Sequence, residues 1–193
     1  MSHYFSYDPT LPSNRKTIHY SFQQHDFVFA TDAGVFSKDH ADPATDLLIK
    51  TIPPLSGSLL DMGCGYGIIG IVLAKTYGLE LMQADVNPLA VALTQANVKQ
   101  NGIASNVLLS DGFDSIAGSF DAIALNPPIH AGKTVTYKMY EDAGKYLNPD
   151  GRLYVVTLRR HGAESTLAKL RSVYAGCEVL YKKKGYFVFS CFS

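Results

Sequence analysis

The first patterned stretch of the chain alternates apolar and polar residues. Ile18, Tyr20 and Phe22 alternate with polar neighbours, and the apolar pattern resumes at residues 27–29 after a polar break. Strict alternation is typical of a half-buried β-strand, and two such runs close together favour a hairpin. Residues 16–31 are therefore predicted to form an N-terminal β-hairpin.

A short helix is predicted to follow the hairpin. Asp42 is a good N-cap residue, and Pro43 suits the first helical position. Leu47 and Leu48 supply the apolar side of the helix, and the two prolines at residues 53–54 end it.

From residue 58 onwards, strand patterns alternate with helix patterns. This alternation predicts an α/β fold in which a doubly wound, mostly parallel sheet of seven strands is covered by helices. The predicted strands lie at residues 58–60, 79–84, 107–109, 120–125, 153–158, 177–181 and 186–191, and the helices at residues 68–77, 88–101, 135–146 and 163–174.

The last two strands need a different connection from the others. Only residues 182–185 separate them, which is too few for a parallel crossover, so the last strand is predicted to be antiparallel. A strong turn signal at residues 148–151, Asn-Pro-Asp-Gly, is predicted to precede the strand at residues 153–158.

Composition indicates a folded protein of one domain. The 193 residues are 47% hydrophobic and 18% charged with a mean hydropathy of +0.03, which excludes a disordered chain. We expect one domain over residues 1–193, with the hairpin and helix in 1–54 and the core in 55–193. The uncharged stretch at residues 62–74 has 13 residues, short of the roughly 18 that a membrane span needs. We therefore expect no membrane span, no secretory signal and a cytoplasmic location.

The cysteines point to the same compartment. Cys64, Cys177 and Cys191 are odd in number and widely spaced, which suits neither a disulfide framework nor a zinc site. The histidines show no metal-ligand spacing either, so no metal site is expected.

A net charge of zero conceals an asymmetry along the chain. Residues 1–125 carry 6 Lys and Arg against 12 Asp and Glu, whereas residues 126–193 carry 11 against 5. A basic part of a neutral protein can face a polyanion, although a solvated surface is the commoner explanation of such charges.

A glycine-rich turn lies where the first core strand passes into a helix. Residues 61–67 read Asp-Met-Gly-Cys-Gly-Tyr-Gly, and glycines there let a ligand approach the backbone and the free N–H groups of the helix N-terminus. Asp85 closes the next strand, where a carboxylate can accept hydrogen bonds from two ribose hydroxyls. Residues 65–70 also match the dinucleotide pattern GxGxxG with Asp85 about 20 residues on, so an NAD-dependent oxidoreductase stays open.

Asp111 follows the third core strand. Its carboxylate can accept a hydrogen bond from an exocyclic amine such as N6 of adenine. An Asp beside Gly112 is just as often part of a turn.

The most specific motif is Asn-Pro-Pro-Ile at residues 126–129, directly after the fourth core strand. Two prolines hold an extended backbone, remove two N–H donors and leave carbonyls available as acceptors. The Asn126 side-chain oxygen and the Pro127 carbonyl can then accept both hydrogens of a planar NH₂ group and aim its nitrogen at an electrophile. Termination of a strand explains the prolines but not the asparagine.

Together these motifs resemble the class I S-adenosylmethionine-dependent methyltransferases. Residues 34–37 (Gly-Val-Phe-Ser), 61–67 and 126–130 look like those of the 16S ribosomal RNA guanine-N2-methyltransferases, and the resemblance covers about residues 15–192. It implies a Rossmann-like fold, S-adenosylmethionine as cofactor, and ribosomal RNA or the small ribosomal subunit as partner. The chain is most similar to the short, single-domain branch of that family.

The resemblance also implies roles for particular residues. Cofactor binding is expected at Phe36, Asp61, Gly63, Gly65, Gly67, Asp85, Val86, Asp111, Gly112 and Asn126, catalysis at Asn126, Pro127, Pro128 and Ile129, and substrate binding at His130, Lys133, Arg159 and Arg160.

Two of these positions qualify the resemblance. Ile129 stands where many amino-methyltransferases have an aromatic residue that stacks on the target base, so stacking is expected from Phe36 or is replaced by apolar contact. His130 is expected to position the base more than to remove a proton, because methylation makes the amino proton acidic enough for water to take.

The sequence leaves several alternatives open. N6 of adenine and a protein glutamine amide are planar NH₂ groups like N2 of guanine, and a non-catalytic RNA-binding module would not need Asn126. The basic clusters at residues 159–161 and 182–184 are expected near opposite ends of adjoining elements, so that one binds RNA while the other is solvated. The oligomeric state is also open.

Overall fold

A seven-stranded sheet with helices on both faces organises the chain. The structure is a computed structural model, and it describes residues 12–37, 39–128 and 131–193. Its elements in chain order are β1 (Lys16–Phe22), β2 (His25–Thr31), α1 (Pro43–Thr51), β3 (Ser58–Met62), α2 (Ile68–Tyr77), β4 (Glu80–Asp85), α3 (Pro88–Gln100), β5 (Asn106–Leu109), β6 (Phe120–Leu125), α4 (Lys133–Ala143), β7 (Leu147–Leu158), α5 (Ala163–Val173), β8 (Gly176–Lys183) and β9 (Tyr186–Phe192).

The order of the strands confirms the predicted doubly wound sheet. It runs β5-β4-β3-β6-β7-β9-β8, and β9 is antiparallel to both of its neighbours, whereas the pairs among β3 to β7 are parallel. β1 and β2 form a separate antiparallel hairpin, also as predicted.

Alternate residues of the central strands pack into two apolar layers. Along β6, Ala122 and Ala124 face the cluster that contains α1, α2, α3 and the hairpin. Ile123 and Leu125 face the other cluster, which contains α4 and α5. Small residues on one side of β6 and large ones on the other therefore fit a strand that is covered on both faces.

The predicted turn at residues 148–151 lies inside a strand rather than before it. Leu147 already pairs with Phe120, and the next aligned pair is Arg152 with Ala122. Between these two pairs β7 advances by five residues while β6 advances by two. Asp150 adopts a positive φ of 64° within this bulge. The turn chemistry is present, but the pairing with β6 begins on its N-terminal side.

The expectation that the cysteines form no disulfide is wrong. Cys177 on β8 and Cys191 on β9 lie directly opposite each other, with their Cα atoms 4.1 Å apart, and they form a disulfide. Cys64 is free and buried. A count of cysteines could not reveal the hairpin register that brings this pair together.

Other structural features bear on the sequence-based expectations about membranes and metals. Among the described residues, every helix is too short or too polar to cross a bilayer. Within the same ranges, no group of three or more His, Cys, Asp or Glu side chains is placed to hold a metal ion.

Two asparagines, Asn97 of α3 and its C-cap residue Asn101, hold the N-terminal hairpin against the core. Asn97 exchanges hydrogen bonds with the backbone N–H and carbonyl of Ala30, and Asn101 does the same with Val28. The spacing matches, because four residues of a helix rise about 6.0 Å and two residues of a strand about 6.6 Å. Asn97 also donates to the carbonyl of Tyr66 at 2.8 Å, which links the hairpin to the glycine-rich turn.

Replacing Asn97 with alanine should therefore destabilise the protein. The Asn97→Ala variant leaves buried backbone groups without partners, and we expect its free energy of unfolding to fall by about 2–3 kcal/mol in urea denaturation. Gln95→Ala, on the exposed side of the same helix, is the matched control and should change stability by less than about 0.5 kcal/mol. Equal losses in the two variants would contradict this role for Asn97.

Candidate active site

A cleft opens at the carboxyl edge of the sheet, where the strand order reverses between β3 and β6. In open α/β sheets this switch point is the usual place for a ligand. The cleft has a volume of about 1140 Å³. It is lined by the segment before α1, by the turns after β3, β4, β5 and β6, and by the end of β7.

The glycine-rich turn forms one wall of this cleft. Gly63 and Gly65 line it with positive φ values of 70° and 59°, and a Cβ atom on either would meet nothing within 4 Å. Gly67 does not line the cleft. It caps α2 with a φ of 90°, and a Cβ there would lie 2.9 Å from the Thr94 side chain. Gly63 and Gly65 thus expose their backbone to a ligand, whereas Gly67 serves the packing behind them.

Asp61 lies beneath the turn, outside the cleft lining. Its Oδ2 atom accepts hydrogen bonds from the backbone N–H of Gly70 at 2.9 Å and from Nε2 of Gln83 at 3.0 Å. Its Oδ1 atom is buried and has no partner among the described residues. Burial raises the pKa of the Asp61 carboxyl to about 6, and the two hydrogen bonds only partly offset this rise.

Asp85 lines the cleft in a fixed orientation. Oδ2 accepts from the backbone N–H of Gly65 at 2.8 Å, and Oδ1 accepts from the N–H of Asn87 at 2.9 Å. Burial raises the pKa of this carboxyl above its usual range, and the backbone hydrogen bonds counteract that rise. Each oxygen keeps a second lone pair, so the carboxylate can still accept from two hydroxyls.

The other predicted cofactor contacts lie around the same cleft. Val86 is 45% exposed and Phe36 is 46% exposed, and both side chains line the cleft. Asp111 and Gly112 line the cleft after β5.

Asn126 directly follows β6 and lines the cleft together with Pro127 and Pro128. Its Nδ2 atom donates to Oγ1 of Thr45 at 2.9 Å. The side-chain oxygen therefore remains as the acceptor for a ligand. Ile129 and His130, which the sequence analysis assigned to catalysis and substrate binding, lie outside the described residues.

The predicted basic substrate contacts are divided in the structure. Arg160 lines the cleft, while Arg159 lies over the ring of Phe187 with its guanidinium carbon 5.8 Å from the ring centre. Lys133 is exposed at the start of α4 and is not part of the cleft lining.

The two basic clusters adjoin, which corrects the expectation that they lie near opposite ends of adjoining elements. Because β9 is antiparallel to β7, the end of β7 meets the start of β9, and Leu158 pairs with Tyr186. The backbone N–H of Arg159 then donates to the carbonyl of Gly185 at 2.7 Å. Both clusters therefore lie at the carboxyl edge of the sheet, beside the cleft.

Sequence reasoning missed several residues that line the cleft. Tyr66 is buried, and its hydroxyl has no hydrogen-bond partner among the described residues. Tyr186 lines the cleft next to Arg160 because the antiparallel β9 begins there. The sequence identifies Asp42 only as the N-cap of α1, but its carboxylate also accepts from the Asn126 side chain. No local pattern marks either tyrosine.

The cleft as a whole fits an adenosyl amino acid. It combines an exposed glycine backbone with carboxylates at Asp85 and Asp111 that can accept from hydroxyls and an amine, and with apolar side chains between them.

This fold and cleft are those of an S-adenosylmethionine-dependent methyltransferase, and comparison with known proteins agrees. The family model described as "Methyltransferase small domain" matches residues 26–190, so the chain belongs to that family. S-adenosylmethionine is the methyl donor of the family, and the NAD-dependent alternative is therefore wrong.

Among its relatives, the chain is 38% identical over 192 residues to the uncharacterised protein YbxB of Bacillus subtilis, with 96% of both chains covered. It is 38% identical over 145 residues to the ribosomal RNA small subunit methyltransferase C of Vibrio vulnificus, which is 72% of this chain and 43% of that protein. The structure of a T. thermophilus 16S rRNA N2 methyltransferase (RsmC) in complex with AdoMet and guanosine matches with a TM-score of 0.83 at 25% identity. That match covers 96% of this chain and 52% of the other, so this chain spans about half the length of these named methyltransferases.

The raised pKa of Asp61 predicts a specific dependence of stability on pH. The folded protein keeps the proton up to a pH of about 6, whereas the unfolded chain releases it near 3.8, so the contribution of Asp61 is lost as the pH rises through 6. The side chain in Asp61→Asn stays neutral at both pH values. Between pH 4.5 and 7 the unfolding free energy of the wild type should therefore fall by about 2 kcal/mol more than that of Asp61→Asn.

Urea denaturation at the two pH values measures this difference. Asp121→Asn is the control, because hydrogen bonds from Asn148 and Ser58 lower the pKa of Asp121 and place its titration below this window. The same pH dependence in the wild type and in Asp61→Asn would contradict the assignment.

Proposed function

We propose that this protein transfers a methyl group from S-adenosylmethionine to the exocyclic N2 of a guanine in 16S ribosomal RNA. The observation that carries the proposal is the orientation of the Asn126 amide. Its nitrogen donates a hydrogen bond to Thr45 of α1, and its oxygen is left to accept from an amine in the cleft. The names of the relatives support ribosomal RNA as the substrate and guanine N2 as the target.

The cofactor would lie along the glycine-rich turn. Asp85 would accept from the ribose hydroxyls, Asp111 from the adenine amine, and the backbone at Gly63 and Gly65 would face the amino-acid part, with Asp61 beneath it. Val86, Gly112 and Phe36 would supply apolar contact around the adenosine. When bound, S-adenosylmethionine supplies an electrophilic methyl group beside Asn126.

The target amine would be held by acceptors alone. The Asn126 oxygen and the Pro127 carbonyl would accept hydrogen bonds from the two N–H groups of a planar NH₂ group. These hydrogen bonds strengthen as the nitrogen becomes pyramidal and positive in the transition state. The proton can then leave to water, so the described residues need no general base. N6 of adenine and a glutamine amide satisfy the same acceptors, and the relatives' names are what favour guanine.

The RNA would dock on a surface that we call the basic rim, defined as Arg159, Arg160, Lys182, Lys183 and Lys184. All five side chains are exposed, and none forms an ion pair with an acidic side chain in the described part of the chain. The rim adjoins the cleft through Arg160. In a duplex the guanine N2 amine is paired with cytosine and its ring is stacked, so phosphate contacts must hold the RNA while a loop or flipped base enters the cleft.

These assignments extend to the whole chain and its location. We propose that residues 1–193 act as one methyltransferase domain, and that the reaction takes place in the cytoplasm, where ribosomal subunits are made. His130 and Lys133 would contact the substrate.

The function is tested by nucleoside mass spectrometry of 16S ribosomal RNA. RNA from a strain that lacks the gene should lack one N2-methylguanosine, and purified protein with the methyl donor should restore it.

Asn126→Ala should lower kcat about 100-fold or more with nearly unchanged cofactor affinity in calorimetry, because the interaction develops in the transition state. Unchanged ribosomal RNA, or methyl groups on adenine N6 or glutamine instead, would exclude the proposal.

The docking surface is tested by the dependence of RNA binding on salt. Each phosphate contact contributes about 0.7–0.9 to the slope of log K against log salt, so replacing Arg159 and Arg160 with alanine should flatten the slope by about 1–2. Lys182, Lys183 and Lys184 replaced together should flatten it by about 2–3. Both variants should bind the cofactor like the wild type.

The matched control is the double replacement of Lys99 and Arg171 with alanine. These residues lie near the C-terminal ends of α3 and α5, at the opposite edge of the sheet from the cleft, and also lack an ion pair with a described acidic residue. Filter binding should give the wild-type slope for this control. Equal slopes in all variants would place the RNA surface elsewhere.

A further inference from the structure

The side chain of Asn126 is held by the first turn of α1, 81 and 84 residues earlier in the chain. Its Nδ2 atom donates to Oγ1 of Thr45 at 2.9 Å and approaches Oδ2 of Asp42 at 3.4 Å. Neither Thr45 nor Asp42 had a part in the chemistry derived from the sequence.

The chemistry of Asp42 decides which end of the Asn126 amide faces α1. A hydroxyl such as that of Thr45 can donate or accept, so Thr45 alone would tolerate either orientation of the amide. An ionised carboxylate only accepts, so the amide atom that faces Asp42 must be the N–H donor. The Asn126 oxygen is thereby the end of the amide that faces away from Asp42 and Thr45, and it is left for a ligand in the cleft that all three residues line.

The Asp42 carboxylate is itself held in place. The same Oδ2 atom accepts from the backbone N–H groups of Ala44 at 2.9 Å and Thr45 at 3.0 Å, because Asp42 is the N-cap of α1. Thr45 is only 5% exposed. A capped helix N-terminus therefore provides a rigid acceptor pair for the Asn126 amide.

We propose that Asp42 and Thr45 are positioning residues that orient the Asn126 amide so that its oxygen receives the target amine. The negative charge on Asp42 also polarises the amide through its N–H bonds, which makes the Asn126 oxygen a stronger acceptor. This inference rests on the proposed function only for its kinetic consequence, since the orientation of the amide can be observed without any substrate.

The orientation is tested by nuclear magnetic resonance of the uniformly ¹⁵N-labelled full chain. The side-chain NH₂ signals of Asn126 are those that disappear in Asn126→Ala. In the wild type we expect slow exchange of these protons with water. In Thr45→Val, which removes the acceptor at nearly constant shape, and in Asp42→Asn, which keeps an N-cap but removes the charge, exchange should become faster.

The kinetic consequence is tested on the same variants. Thr45→Val and Asp42→Asn should each lower kcat about tenfold, the effect of losing one hydrogen bond, with unchanged cofactor affinity. Thr45→Ser, which restores the hydroxyl, should recover most of the activity. In an Asn126→Ala background, Thr45→Val should cost nothing further, because a residue that acts only through Asn126 has no effect once that side chain is removed.

Two substitutions on the same helix serve as matched controls. Asp46→Asn removes the same charge one turn later, where the carboxylate pairs with Lys50 and Tyr20, and Thr51→Val removes a hydroxyl at the end of α1. Both should leave the Asn126 signals and kcat as in the wild type. Urea denaturation of every variant confirms that it is folded.

The outcomes separate this inference from the proposed function. Wild-type exchange of the Asn126 protons in both Thr45→Val and Asp42→Asn would overturn the inference, and so would faster exchange with unchanged kcat or an undiminished effect in the Asn126→Ala background. If the wild type methylates no guanine of ribosomal RNA, the proposed function fails, while the exchange measurement still decides whether Asp42 and Thr45 hold the amide.

Discussion

The parallel register between β3 and β6 is the constraint on which the candidate site depends. Met62 pairs with Leu125, so the residues that follow them, Gly63 and Asn126, leave the sheet side by side. The glycine-rich turn and the amine-accepting motif are about sixty residues apart in the chain, and this pairing alone brings them to one cleft. A register shift of one residue would also exchange the faces on which Ile123 and the other core residues pack.

Around this pair, the carboxylates of Asp61 and Asp85 connect the strands to the turns. Asp61 joins β3 to the N-terminal turn of α2 through Gly70, and to β4 through Gln83. Asp85 joins the end of β4 to the glycine-rich turn through Gly65. Burial raises the pKa of both carboxyls, and these hydrogen bonds counteract the cost of keeping charge near the core. The same bonds hold the cleft wall in shape for a ligand.

The antiparallel last strand has a role in the distribution of charge. Because β9 runs back along β7, the turn of lysines at its start lies against Arg159 and Arg160 instead of at the far edge of the sheet. Two clusters that are separate in sequence thereby form one basic rim next to the cleft. Four carboxylates of the N-terminal part, Asp42, Asp85, Asp111 and Asp114, line the cleft that this rim adjoins.

The sequence by itself determined the elements and the residue types at the strand ends. The hairpin, the start of α1 at Pro43 and the bounds of α2 follow from local periodicity and capping, which act over a few residues. Only the tertiary structure decided the bulge in β7, the Cys177–Cys191 disulfide, the adjoining basic clusters and the contact of Asp42 with Asn126. Each of these depends on which strands pair, in which direction and in what register, and that choice is made by burial of the whole core, which no local pattern records.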